Sequence, residues 1–332
     1  RLDTLVAVSA DTADVLVDVG AMDSGKDAIP EVISDVGIGI DVAPDSSDGQ
    51  RDVAMADTNP AADSDAPLAS FDLVKRSKPQ CSGVAGAGQA KKVLFFLGDG
   101  MGIPVLTAAR IYSVGEDGQL TIDTLPETAF IRTYSNDALV TDSAPSMSAY
   151  LTGVKMNNDV IAMTPDTKFD KASSPGTGKP VQTLLELAEA AGYRTGVVTT
   201  TRVTHATPAA TYAHISNRDD EQAIAAQLTP GNPGYNGNLG NGLEVVLGGG
   251  FLQFQGSSRA DGRDLLGSFR SNRYTVVGDA PSLRTLTGST LPDRLVGLFT
   301  AGHMAYEADR DNNKEPSLAE MTIKAIDILA KD

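Results

Sequence analysis

The stretch Val93-Leu94-Phe95-Phe96-Leu97-Gly98-Asp99-Gly100-Met101-Gly102 decides how this chain is read. Its continuous apolar run has the character of a strand buried on both faces, as in a parallel sheet covered by helices. The glycines beside Asp99 predict a tight turn in which the backbone can approach a ligand closely. Ile103 to Tyr112 then reads as a helix. Strand, turn and helix in succession place Asp99 at the carboxyl end of a strand, where ligands of such sheets sit.

Toward the C-terminus the same alternation recurs. Val181 to Ala191 holds the strong helix formers Glu186-Leu187-Ala188, and Gly192 suits the position just past a helix end. Arg194 to Thr199 reads as the next strand. Leu243 to Leu247, Thr275 to Val277 and Arg294 to Thr300 are further strand candidates, and Leu265 to Ser271 a helix. In Pro316 to Ala330, Leu318, Met321, Ala325, Ile326 and Leu329 recur at helical spacing behind Ser317, a suitable N-cap. The expected fold class is α/β: a three-layer α/β/α sandwich around a largely parallel central sheet.

Toward the N-terminus the composition changes. Residues 1 to about 88 are rich in Asp, Ala, Val, Ser and Pro, and up to Asp72 the only basic residues are Arg1, Lys26 and Arg51. Self-repelling charge and few aromatics predict an acidic, low-complexity, disordered linker over 1–88, followed by a folded domain over 89–332. Within the linker only Leu5 to Val19 has the character of a weak strand or helix.

The whole chain of 332 residues has 43 acidic against 27 basic residues and a net charge of −16. That balance argues against nucleic acid or an anionic membrane surface as partner. Cys81 is the only cysteine, so no internal disulfide can form. No stretch approaches the ~18 apolar residues of a membrane span. No signal peptide is visible, but the chain starts at Arg1 and not at methionine, so this carries little weight.

Two further stretches hold oxygen-bearing side chains. In Val140-Thr141-Asp142-Ser143-Ala144, Ser143 stands at the expected start of a helix that Gly153 ends. A serine N-cap lies beside free backbone N–H groups, a setting that favours a phosphate. An isolated Asp-Ser-Ala is far more often an ordinary helix cap. In Thr204-His205-Ala206-Thr207-Pro208-Ala209-Ala210, His205 could ligate a metal or bridge to one through water, and Thr207 offers a hydroxyl. Arg218 closes Tyr212-Ala213-His214-Ile215-Ser216-Asn217, expected to be helical, and its guanidinium could grip two phosphate oxygens in a fork. His214 reads as packing, His303 as structural, and Gly248-Gly249-Gly250 as a plain strand-to-loop turn.

These three stretches, in this order, resemble the alkaline phosphatase family. So do Leu151-Thr152-Gly153-Val154-Lys155, Val246 to Gly250, Gly302-His303-Met304 and Pro316 to Thr322. The resemblance runs from about Lys92 to Asp332. It implies phosphomonoester hydrolysis through a phosphoserine, with two zinc ions and one magnesium ion in the site. Carried over by motif, Ser143 is the nucleophile and a zinc ligand, Asp99 bridges zinc and magnesium, Thr207 ligates magnesium, and Arg218 binds phosphate. His205 holds a position near the third metal that is aspartate in some members and histidine in others. The resemblance also implies phosphomonoesters and inorganic phosphate as partners, typical homodimerisation, and a periplasmic or extracellular location.

The same resemblance exposes a deficit. The family's remaining zinc ligands should follow the segment that ends at Asp332, and His214 and His303 match none of them. A zinc site normally takes three or four protein ligands. The expectation is therefore an incomplete, weakly active fragment of a longer enzyme. The competing readings are a non-catalytic protein that keeps the fold and binds phosphate or metal, and a relative acting on sulfate esters or phosphodiesters.

Overall fold

The computed structural model describes residues 4–11, 92–171 and 178–331. In chain order its strands and α-helices are β1 (Thr4–Asp11), β2 (Lys92–Asp99), α1 (Ile103–Val114), α2 (Ser143–Thr152), α3 (Leu184–Ala190), β3 (Arg194–Arg202), α4 (Ala206–Ala209), α5 (Glu221–Leu228), β4 (Val245–Gly249), α6 (Leu265–Ser271), β5 (Thr275–Val277), α7 (Ala280–Arg284), β6 (Leu295–Leu298) and α8 (Leu318–Leu329). The six strands form one sheet in the order β2-β1-β3-β4-β6-β5, and every pairing is parallel.

Adjacent residues of the central strands feed two different cores, because successive side chains of a strand point to opposite faces. Val197, Val246 and Val296 join α2, α4, α5 and α6 in one apolar cluster that includes Met147, Ala209, Ile224 and Phe269. Val198, Val245, Leu247 and Leu295 join α7 and α8 in the other, with Leu283, Met321, Ala325, Ile328 and Leu329. A sheet covered on both faces is the three-layer α/β/α sandwich expected from the alternation of elements.

Local chemistry sets the helix ends. Thr183 and Glu186 form a reciprocal capping box at the start of α3, and Ser317 and Glu320 do the same for α8. Gly153 ends α2 in the left-handed region at φ 72°, a conformation that costs glycine no side-chain clash.

Several expectations need correction. Val93 to Leu97 is not buried on both faces: β2 is an edge strand, and Val93, Leu94 and Phe96 are 39%, 45% and 64% exposed. Apolar composition reports what a strand would bury, not where it lies in the sheet. Thr4–Asp11, expected within the acidic linker, is a strand between β2 and β3, with Asp11 in register with Asp99. The strand character expected of Leu5 to Val19 is seen over Thr4–Asp11, where the Leu5-Val6-Ala7-Val8 run suits a strand. Residues 12–88 of that linker lie outside the described residues. Tyr212 to Asn217 is not helical: Ile215 pairs with Ile161 in an antiparallel bridge. Asp142, not Ser143, is the N-cap of α2.

Candidate active site

Two strand ends and one helix start build the site. Asp99 is the last residue of β2, and His205 and Thr207 follow β3, so all three lie at the carboxyl edge of the parallel sheet. Gly100, at φ 66°, turns the chain away directly after Asp99. Ser143 opens α2 beside a cavity of about 400 Å³ lined by Asp99, Gly100, Met101, Ile131, Asp142 and Ser143, among others.

Thr207 is buried and donates its Oγ1 hydrogen to Asp99 Oδ2 at 2.8 Å. This ties the β2 and β3 ends together and places two oxygen donors side by side. Arg218 joins the other members. Its Nη1 donates to Asp142 Oδ1 at 2.7 Å and to Ser143 Oγ at 3.0 Å, and its Nη2 donates to His205 Nε2 at 2.9 Å. The guanidinium is thus fixed on both forks beside the serine hydroxyl.

Asp142 is the residue that sequence reasoning undervalued. Its Oδ1 caps α2 by accepting from Ala144 N at 2.7 Å, and its Oδ2 accepts from Asp159 N at 2.6 Å. One carboxylate therefore sets the helix start, the Arg218 fork and the Asp159 turn together. The Asp-Ser-Ala-Pro sequence carried the signal, since aspartate is a favoured cap. The helix start offers fewer donors than a free N-terminus would, because Ala144 N–H is taken by the cap and Pro145 has none.

Because His205 Nε2 accepts from Arg218, the neutral ring carries its proton on Nδ1. That atom is buried and has no hydrogen-bond partner among the described residues. Burial lowers the His205 ring to about 4, and the nearby Arg218, His303 and Arg202 push the same way. The His303 ring packs edge-on against it at 5.2 Å. Behind it, Arg202 Nε donates to both Glu221 oxygens at 2.8 Å, a pairing the sequence reading did not find. Gly248 and Gly249 are packing positions: a Cβ would lie 2.7 Å from a Thr199 methyl at one and 2.2 Å from Gly302 O at the other.

The chain that holds this arginine, serine and carboxylate–hydroxyl pair has counterparts among known proteins. The family model for alkaline phosphatase matches residues 90–332. The chain belongs to the alkaline phosphatase family. Among curated proteins it is similar to the membrane-bound alkaline phosphatase of Bombyx mori, 34% identical over 321 residues, covering 84% of this chain and 57% of that protein. It is similar to the human tissue-nonspecific alkaline phosphatase isozyme, 36% identical over 275 residues, covering 73% and 52%. The chain spans about half the length of the curated relatives it matches. Among solved structures, Thermus thermophilus alkaline phosphatase superposes with a TM-score of 0.58 at 33% identity, covering 70% of this chain and 45% of that one. A histidine-to-glutamate mutant of TAB5 alkaline phosphatase, with Mg bound in its M3 site, gives 0.55 at 27% identity and covers 70% and 59%.

Proposed function

We propose that this alkaline phosphatase-like domain serves phosphomonoester hydrolysis, with Ser143 as nucleophile and Arg218 as the phosphate-binding cation. The observation that carries this reading is the 3.0 Å contact of Arg218 Nη1 with Ser143 Oγ, inside a guanidinium held by Asp142 and His205. A phosphate entering the cavity meets the Ser143 hydroxyl that lines it, and the Arg218 guanidinium is in contact with that hydroxyl. Ser143 Oγ gives its proton to water and attacks phosphorus in line: the Oγ–P bond forms as the bond to the leaving alcohol oxygen breaks, and that oxygen takes a proton back from water. Water then attacks the phosphoserine, the Oγ–P bond breaks, Oγ regains a proton and inorganic phosphate leaves.

The donor set fits a magnesium ion in part. Asp99 and Thr207 present adjacent oxygens of the kind a hard cation takes. A TAB5 alkaline phosphatase in which glutamate replaces a histidine holds Mg in its M3 site, which supports magnesium as the ion but not the histidine's part in holding it. When bound, the ion would neutralise charge on phosphoryl oxygens. The donor set does not fit zinc: among the described residues no group of three or more His, Cys, Asp or Glu side chains could hold a metal, and zinc takes three or four.

We infer a periplasmic or extracellular location from the family resemblance alone. Among the described residues no helix is long and apolar enough to cross a membrane.

The full chain incubated with 4-nitrophenyl phosphate in magnesium, with and without zinc, tests the assignment. Ser143→Ala is expected to abolish turnover, and acid quenching is expected to trap phosphate on the Ser143 peptide. Unchanged turnover in Ser143→Ala sinks the nucleophile. Phosphate binding with no turnover under any metal condition favours a binding role.

A further inference from the structure

His214, which reads as a packing residue in the sequence, is held by three residues through four contacts. Its Nδ1 lies 2.8 Å from Ala162 O and its Nε2 lies 2.7 Å from Glu186 Oε1. Gln227 grips its backbone, accepting from His214 N at 2.9 Å and donating to His214 O at 3.0 Å. A carbonyl oxygen only accepts, so Nδ1 carries a hydrogen and donates it. The Nε2 contact then needs a proton shared between the ring and the carboxyl group.

Glu186 is built to remain the anion. Its Oε1 also accepts from Asn236 Nδ2 at 2.7 Å and Asn238 Nδ2 at 3.2 Å, and its Oε2 accepts from Thr183 N at 2.8 Å. Burial alone would raise its pKa, but the bonds from His214 and Asn236 outweigh burial and hold it down at about 2. The two side chains are only 7% and 0% exposed. A bare packing histidine does not require so complete a polar shell around its partner.

The pair grips the segment that orients Arg218. Ala162 and Asp159 adopt positive φ values of 45° and 64°. For non-glycine residues such values are strained and persist only where neighbours enforce them. The enforcement is visible. Ala162 O accepts from both His214 and Val181 N, and Ile161 and Ile215 exchange backbone bonds of 2.9 and 3.0 Å. Asp159 O accepts from Arg218 N at 2.9 Å, and Asp159 N donates to the Asp142 carboxylate that also holds the Arg218 fork. One unbroken path runs from Glu186 through His214 and the strained turn to the guanidinium.

We propose that His214, clasped by Glu186, is a positioning residue for Arg218: it holds residues 159–162 and 214–218 in mutual register so that the guanidinium meets Ser143. This rests on the reading of Arg218 as the phosphate-binding cation.

Hydrogen exchange on the full chain tests the clasp, using His214→Gln and Glu186→Gln. The second variant protects the fold, because glutamine also serves in a capping box. The Ile215 and Arg218 amides are expected to exchange about tenfold faster in either variant while those of α8 keep their rate. Unchanged exchange, or equal acceleration throughout the sheet, overturns the proposal in favour of a merely structural histidine. Titration with inorganic phosphate completes a double-mutant cycle. His214→Gln is expected to weaken affinity about tenfold alone but less than about twofold in an Arg218→Ala background, since its effect passes through the arginine. Equal losses in both backgrounds overturn the positioning role. If Arg218→Ala itself leaves phosphate affinity unchanged, the phosphate reading fails, whereas the exchange result still decides the clasp.

Discussion

Thr207 Oγ1 donates to Asp99 Oδ2 at 2.8 Å, joining two strand ends 108 residues apart in the chain. The contact preorganises the carboxylate, since one of its oxygens is oriented by a buried hydroxyl before any cation arrives. Thr207→Val keeps the shape and removes that hydroxyl. It is expected to weaken magnesium binding about tenfold, with a stability loss of only about 1 kcal/mol from the lost hydrogen bond. Isothermal titration with magnesium and a thermal melt check both halves. Unaltered magnesium affinity would remove Thr207 from the cation site.

Asp142 supports two structures at once, the α2 cap and the Arg218 fork. Asp142→Ala should lower stability by about 1–2 kcal/mol through the lost cap and the freed Arg218 partner. Asp142→Asn keeps a capping oxygen, so it should restore most of the stability but not the charge pairing to Arg218. Urea unfolding together with phosphate titration of both variants separates the two roles. Equal stability of the Ala and Asn variants would contradict the cap.

Glu189 lies at the opposite end of the sheet. Burial pushes its carboxyl up to about 7, a hydrogen bond from Thr195 pulls it down, Glu244 raises it and Arg294 lowers it. Glu244 is itself raised, mainly by burial, and accepts from Thr195 N at 2.8 Å. A carboxyl with a raised folded pKa binds its proton more tightly when folded. The stability it contributes is full below the unfolded value and is lost as pH rises through about 7. Thermal midpoints should fall across that window, by an amount corresponding to on the order of 2 kcal/mol. Glu189→Gln should flatten the profile. A wild-type profile already flat between pH 5 and about 8 would rule out the buried acid as its source.

Phe96, 64% exposed on the edge strand β2, and its neighbour Leu94 share the face opposite Phe95 and Leu97, which pack on the core. Exposed apolar edge strands promote association. Phe96→Ser should shift the full chain toward monomer in light scattering at high concentration without lowering its melting temperature. Identical association in both proteins would show that this face takes no part.

Much of this protein is legible in its sequence. The Leu265–Ser271 helix and the Thr275–Val277 strand fall where propensity and pattern place them. Ser317 caps α8 as its spacing predicts, and the alternation of elements yields the three-layer fold. These features depend on neighbours a few residues apart, so composition and period suffice. The quoted motifs, taken together, also gave the family and its candidate residues Asp99, Ser143, His205, Thr207 and Arg218.

What only tertiary structure decided are relations between distant segments. Whether the Val93–Leu97 run is central or at an edge depends on which strands pair beside it. That His214 clasps Glu186 while Arg218 reaches Asp142, Ser143 and His205 depends on a non-helical Tyr212–Asn217 segment bridging to Ile161. Helical periodicity could not anticipate that bridge, because its bonds run to residues 54 positions away. Local sequence sets which side chains carry chemistry. Long-range hydrogen bonds between buried polar groups, costly to leave unpaired, set which of them meet.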